Sequence, residues 1–300
     1  MKAKWLSLKM TLSLLLAAVL PQAVATEAQR CVADDALRTL CIATPAQRIA
    51  TLSPGATELT FAAGAGEQVI AGVNYSDYPP AALKLPLVGN HTRIDVEALL
   101  ALKPDLIVTW VSGNPPAQME LLQELDLPIF AIEPRTFEGV SSAIERLSIL
   151  AGTEEAGFAE AERFRIGIAA IAEQYREAKP ISVFYQVWET PLMTINNTHL
   201  IGKVLQLCGG TNVFANMPRL VPRISPEVVL EADPEVILTG RRTVDNHDQQ
   251  LDHWKKYPKM RAVANNNLFF IPASPISRPT PRLLEASRAV CEKLDIARGR

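Results

Sequence analysis

Three aromatic residues, Tyr75, Trp110 and Trp188, each stand at or just past the end of a short apolar run. The runs are Val69 to Val73, Leu106 to Trp110 and Ile181 to Val187. A ring in such a place offers a flat apolar face, and Tyr and Trp add one polar tip. Such groups suit a large, flat, partly polar ligand and perform no covalent chemistry by themselves. Ser53-Pro54, Arg241-Arg242 and the stretch Ser274 to Arg278 follow further strand-like runs and would share the same edge. The plainer alternative is that Trp110 and Trp188 only close the ends of their sheets. Three rings at one topological edge favour binding.

Catalytic signatures are missing. The chain has no GxSxG, no GxxxxGK[ST] and no GxGxxG after a strand. Its histidines, His91, His199, His247 and His253, form no HExxH or HxH pattern. Asp245 to His253 holds two of them, but reads better as a solvated helix start than as a chelator. No convergent set of imidazoles and carboxylates points to a metal. No cofactor is implied, and an exported α/β enzyme is the remote alternative.

Two acids form a pair of a different kind. Ile94 to Thr109 and Ile224 to Thr239 repeat each other at a spacing of 130 positions without a gap. Ile94/Ile224, Glu97/Glu227, Leu100/Leu230, Pro104/Pro234, Ile107/Ile237 and Thr109/Thr239 are identical. The unit is a helix, a proline and a strand, with Asp95 or Ser225 as N-cap and Pro226 at the first helical position. Glu97 and Glu227 fall in the first turn, where a carboxylate gains about 0.3–1 kcal/mol from the helix dipole. That alone accounts for either one. As mates in two similar lobes, they could also dock on a two-fold symmetric partner that carries arginines.

The elements that must position these residues follow an alternating plan. Strands are predicted at Gln47 to Leu52, Val69 to Val73, Leu106 to Trp110 and Pro128 to Ile132. Helices are predicted at Ala56 to Gly64, Asp95 to Leu102, Ala117 to Leu125 and Phe137 to Ala151. The pattern then restarts, with strands at Ile181 to Val187, Val236 to Thr239 and Leu268 to Ile271. Helices at His199 to Leu207 and Arg282 to Leu294 accompany them. Short apolar strands alternating with helices predict a parallel α/β sheet in each lobe. Ligands of such sheets bind outside the carboxyl ends of the strands.

Between the two halves, Gly152 to Lys179 predicts one long helix. Ala161, Phe164, Ile168, Ile171 and Tyr175 share a face. Thr153 with Glu154 and Glu155 makes a start, with the hydroxyl as cap, and Pro180 a stop. At 1.5 Å per residue it would span roughly 37 Å and act as a rigid strut. The fold class is therefore α/β, two similar parallel-sheet lobes joined by one helix. Residues 47–151 form the first lobe, 152–179 the link and 180–300 the second lobe.

The chain has 300 residues, 48% hydrophobic and 21% charged, an ordinary globular composition. Lys2, Lys4 and Lys9 lead into the apolar run Met10 to Leu20, and Ala23-Val24-Ala25 is a small-x-small site. Residues 1–25 read as a secretory signal peptide, with no cysteine at lipobox spacing. Cleavage would remove those three lysines and no acid, taking the formal charge from −2 to −5. An acidic chain argues against a nucleic-acid partner. Cysteines Cys31, Cys41, Cys208 and Cys291 allow three pairings in an oxidising compartment. Residues 26–46 read as a hairpin turning near Asp34-Asp35, which favours Cys31–Cys41. That leaves Cys208 and Cys291 as a second pair or as two buried thiols.

Several stretches taken together carry a resemblance. They are Thr51 to Leu59 (TLSPGATEL), Tyr75 to Pro80 (YSDYPP) and Ala101 to Asp105 with Trp110. Val204 to Gly210 (VLQLCGG) with Asn212 to Phe214, and Pro281-Arg282 ahead of Cys291, complete the set. Over residues 47–295 the chain resembles the helical-backbone periplasmic substrate-binding proteins of ABC importers. Those proteins serve cobalamin, haem and ferric siderophores, and the likeness is greatest to the cobalamin-binding members.

The resemblance implies a soluble, monomeric receptor that hands cobalamin or a related corrinoid to an inner-membrane permease. It implies ligand contacts at Tyr75, Trp110 and Arg278, permease docking at Glu97 and Glu227, and a Cys208–Cys291 disulfide. His91, Val187, Val221, Pro275 and Ile276 stand where the cobalamin-binding members have aromatics. Trp188 adjoins one lost ring, and Met193 replaces another. Haem, with Tyr75 or His91 on its iron, and an anionic siderophore, leaning on Arg219, Arg223, Arg241, Arg242 and Arg278, stay open.

Overall fold

The structure, a computed structural model, describes residues 29–241 and 250–300. Residues 1–25 (read above as a signal peptide), Arg242 and His247 lie outside the described residues, as does the side chain of Arg241. Strands β1 (Arg30–Ala33) and β2 (Thr39–Ile42) form an antiparallel hairpin in which Cys31 pairs with Cys41. The first lobe then contains β3 (Ile49–Thr51), α1 (Pro54–Ala62) and β4 (Val69–Ala71). A two-stranded ribbon, β5 (Gly89–Asn90) and β6 (Arg93–Ile94), leads to α2 (Val96–Ala101) and β7 (Leu106–Trp110). After α3 (Pro116–Glu124) and β8 (Ile129–Ile132), α4 (Phe137–Ala151) and α5 (Glu154–Gln174) close this half.

The second lobe holds β9 (Ile181–Gln186), α6 (Leu200–Leu207), β10 (Gly210–Asn212), α7 (Pro226–Ala232) and β11 (Val236–Arg241). It ends with α8 (Arg261–Ala264), β12 (Leu268–Pro272), α9 (Ala273–Ser277) and α10 (Leu283–Arg298). The two four-stranded sheets run β4-β3-β7-β8 and β10-β9-β11-β12, and every pairing within them is parallel. The sheet orders correspond strand for strand. Mates 130 apart do the same work: Leu99 and Val229 are both fully buried. Asp105 accepts from the N–H groups of Gln47 and Arg48, and Glu235 from that of Ser182. Each acid thus holds the start of its central strand.

Side chains alternate across both sheets, as a strand repeat of two requires. Leu106 and Val108 enter one large core and Ile107 a second. In the other sheet Val236 and Leu238 enter that same large core, and Ile237 a third. The large core therefore runs through both lobes. Its middle layer is α4, α5 and α10.

The linking helix is shorter than Gly152 to Lys179 and ends at Gln174. It is also less free-standing than a strut. Ala161, Phe164, Ile168 and Ile171 are buried in the common core. A Cβ on Gly167 would lie 2.5 Å from Leu284, so α5 and α10 meet closely there. Thr153 stands at the N-cap but its hydroxyl donates to the carbonyl of Ala63 instead of accepting from the helix. Partial burial opposes ionisation of Glu154, but its own backbone N–H and Arg30 hold that carboxyl below its usual range.

Strand β10, GTN, has the Gly and Asn that strands disfavour and no apolar run, so its sequence carries no strand signal. Both disulfides, Cys31–Cys41 and Cys208–Cys291, are present. The second encloses 83 positions and stabilises by roughly 2–4 kcal/mol.

His199 caps α6 with an imidazole, Nδ1 accepting from the N–H of Ile201 at 3.1 Å. Burial, with the charge of Arg135 adding, lowers its pKa from 6.5 to about 4. The folded state thus prefers neutral His199. Its contribution is complete above pH 6.5 and is lost as pH falls toward 4. His199→Asn keeps a capping acceptor without the titration. Its urea midpoint should fall less than that of the unaltered protein between these pH values, and parallel curves would refute this.

Candidate functional site

The carboxyl ends of β3 and β4 and those of β9, β11 and β12 lie on either side of one seam. The contact that shows this is Arg278, just after α9. Its Nη1 donates to Glu58 at 2.7 Å and to Asp77 at 2.6 Å, and its Nη2 to the carbonyl of Tyr75 at 3.0 Å. Glu58 lies within α1 of the first lobe and is 4% exposed. Thr280 donates to it at 2.8 Å and Arg282 at 3.3 Å. One buried carboxylate thus collects three donors from the opposite lobe. Arg278 was expected at the ligand. The structure places it at this edge, but engaged by two acids and only 12% exposed at its side chain.

Ser53 begins α1, and its Oγ accepts from the N–H of Ala56 at 3.1 Å. Pro54 occupies the first helical position, where its missing N–H is harmless. Thr57, one turn on, meets Thr51 at 2.7 Å and Ser76 at 2.8 Å, all buried. That chain fixes the loop carrying Tyr75. Tyr75 itself has φ 70°, a left-handed conformation that a non-glycine residue holds only when its surroundings enforce it. It is 63% exposed.

Trp110 ends β7 and is half-buried. Asn114 accepts from its N–H at 2.6 Å and donates to the carbonyls of Leu52 and His91. The ring lies directly over Gly113: a Cβ there would be 1.8 Å from a ring carbon. His91, from the turn of the β5–β6 ribbon, sets its imidazole 6.0 Å from the Trp110 ring. Trp188 follows β9 and is 62% exposed. Its indole N–H donates to the carbonyl of Thr190, so the polar tip is used locally and the ring faces stay open. Trp188 and Met193 pair as an isolated bridge, and Met193 pairs on to Arg223.

The arrangement is a set of apolar faces with polar edges at one rim. It offers no nucleophile–base pair. Among the described residues no group of three or more His, Cys, Asp or Glu could hold a metal. A concavity of about 390 Å³ also reaches Glu58, lined by Tyr78, Arg163, Arg282 and Arg288. Its arginines are matched there by Glu58, Glu160 and Glu285, so it presents no net charge. Of the positions that lack an expected ring, Pro275 and Ile276 are buried in α9 and Val221 packs on the core. Arg219 and Arg223 are exposed.

Glu97 and Glu227 are exposed in the first turns of α2 and α7. Asp95 caps α2, accepting from Ala98 N–H. Ser225 does not cap α7 in this way; a side-chain hydrogen bond between it and Glu227 helps to hold that carboxyl below its usual range.

Residues 49–275 match the family profile described as "Periplasmic binding protein". The chain belongs to the periplasmic binding protein family. This periplasmic binding protein is 39% identical to the "Vitamin B12-binding protein" of Vibrio cholerae over 254 residues, 84% of this chain and 91% of the relative. The crystal structure of the periplasmic vitamin B12 binding protein BtuF of Vibrio cholerae superposes with a TM-score of 0.78 at 39% identity. It covers 85% of this chain and 99% of that one. A periplasmic heme-binding protein, RhuT from Roseiflexus sp. RS-1, shares the fold, with a TM-score of 0.72 at 22% identity over 84% and 98% of the two chains. Like its relatives, this periplasmic binding protein is a binding protein and not an enzyme. Among the described residues no helix is long and apolar enough to cross a membrane.

Sequence reading missed Glu58, Asp77 and Thr280. The signal available was an acid inside an otherwise apolar, buried helix turn, GATELTFA, which demands a partner that only the fold supplies. Glu58→Ala leaves Arg278 and Arg282 without their shared countercharge. It should cost about 3 kcal/mol in urea unfolding; a loss below about 1 kcal/mol would reduce the pair to a surface-type bridge.

Proposed function

We propose that this protein binds cobalamin or a related corrinoid between its lobes and delivers it to an inner-membrane ABC importer. One observation carries the reading: the 39% identity to proteins named vitamin B12-binding extends over nearly the whole of both chains. The rings of Tyr75, Trp110 and Trp188 at the strand ends supply flat surfaces for a corrin, with Ser53 and Pro54 at the floor beside them. Arg278 contributes by holding the Tyr75 carbonyl. The ligand is cargo, so the protein needs no resident cofactor.

The address follows from residues 1–25, read as a signal peptide, and the mature chain works in the periplasm as a monomer. Residues 26–46 form the hairpin segment, 47–151 and 180–300 the lobes, and 152–179 the link. Glu97 and Glu227, exposed at equivalent helix starts, dock on the permease. A haem or ferric-siderophore cargo is the second reading, favoured by one feature. The His91 imidazole beside Trp110 offers a nitrogen to a porphyrin iron.

Titration with cyanocobalamin, cobinamide, haemin and a ferric siderophore, followed by absorbance and melting, separates these readings. Corrinoid at 100 times its dissociation constant should stabilise by about 2.7 kcal/mol. Trp110→Ala and Trp188→Ala should each weaken binding about tenfold, ~1.4 kcal/mol. No response to either corrinoid overturns the first reading.

Charge reversal at both acids, Glu97→Lys with Glu227→Lys, should abolish uptake of labelled cobalamin by cells. The purified variant should keep its ligand affinity. Normal uptake would remove the docking role.

A further inference from the structure

The hairpin β1–β2 lies ahead of the residues matched by the family profile, and the reading above gives it no task. Its construction is more elaborate than an appendix needs. Val32 is buried in the common core. Asp34, 4% exposed, accepts from the N–H groups of Ala36 and Arg38 and from the Arg38 guanidinium. Arg146 on α4 donates to the Ala33 carbonyl and pairs with Asp35, both at 2.8 Å. Cys31–Cys41 closes the hairpin at its paired position.

This braced turn grips the outer edge of β8. The N–H of Asp35 donates to the Ala131 carbonyl at 2.9 Å. The carboxylate of Asp35 accepts from the N–H of Glu133 at 2.5 Å. Glu133, just past β8, turns its own carboxylate to the next loop. It accepts from the Ser112 N–H at 3.0 Å and from the Ser112 hydroxyl at 3.1 Å. Ser112 adjoins Gly113, on which the Trp110 ring rests.

We propose that the disulfide-closed hairpin is a positioning element for the ligand cleft, setting the Trp110 ring through Asp35, Glu133 and Ser112. Asp35 and Glu133 are positioning residues and touch no ligand. The effect on affinity rests on the corrinoid reading; the effect on the ring does not. Asn114 holds the far flank of this loop, so the exposed stretch Val111-Ser112 is the part that would otherwise sample several positions. The two hydrogen bonds from Ser112 remove that freedom before ligand arrives, which lowers the ordering cost of binding.

The test uses the mature full chain labelled with 5-fluorotryptophan. The Trp110 resonance is assigned by its loss in Trp110→Phe. In Glu133→Ala and Asp35→Ala it should shift or broaden, while that of Trp254, buried in the other lobe, stays in place. The cyanocobalamin dissociation constant should rise about three- to tenfold in each. The double variant should show little more than the larger single effect, because both act through one path. Glu133→Gln, which keeps an acceptor, should recover most of the loss, as a merely structural or charge effect would not. Should Asp35→Ala fail to fold, Cys31→Ser with Cys41→Ser probes the same hairpin with Asp35 intact. An unmoved Trp110 resonance in the folded variants, or additive losses, overturns the proposal. If the unaltered protein binds no cyanocobalamin, the corrinoid reading fails, and the Trp110 resonance alone decides the positioning role.

Discussion

A carboxylate taken out of water needs its full set of partners, and Glu58 finds them only across the seam between lobes. The effective penalty for such burial is several kcal/mol per ion, so the partners cannot be optional. Arg278, Thr280 and Arg282 lie more than two hundred positions away in the chain. Their arrival on Glu58 fixes where the second lobe meets the first. Arg278 then reaches on to the Tyr75 carbonyl. The neighbouring Thr57 holds the same loop from within its own lobe through Ser76. Six residues at the start of α1, Ser53 to Glu58, thereby serve a cap, a loop anchor and the inter-lobe contact.

Around that seam the molecule is a duplication used unequally. The repeat mates Leu99 and Val229 fill equivalent cores, and Asp105 and Glu235 hold equivalent strand starts. The capping chemistry has diverged: Asp95 bonds to its helix, whereas Ser225 bonds to Glu227. The first lobe also carries a hairpin on the edge of β8, and an open edge is a hazard for unwanted pairing. Symmetry accounts for the frame, and the departures from it lie in helix caps and at a sheet edge.

Much of the frame was legible in the sequence because its signals are local. The parallel sheets follow from apolar runs alternating with helices, and the duplication from six identities at a fixed spacing. The hairpin and its disulfide follow from Cys31 and Cys41 around a short turn. The linking helix ends at Gln174 and not at Lys179: Arg176 to Lys179 are as compatible with a helix as with a turn, and only Tyr175, which packs on the core, marks the end of the buried face. Strand β10 was missed because its pairing depends on β9 and not on its own composition. At the site, the aromatic ends of strands were visible, and Trp110 and Trp188 do stand there. The Glu58 network was not, because the partners of a buried acid are set by tertiary packing. Nor was the relay through Glu133, whose two bonds join loops that are separated by a whole helix and strand.

The common core has a temporal side. Leu283, Leu284, Val290 and Leu294 fill the same core as Leu106, Val108 and Phe164. The core that the two lobes share is therefore incomplete until the final helix of the chain is available. Contacts of that sequence separation form slowly, since a long loop must close before any gain appears. What looks like a static packing arrangement thus makes completion of the shared core a late event, tied to the last helix of the chain.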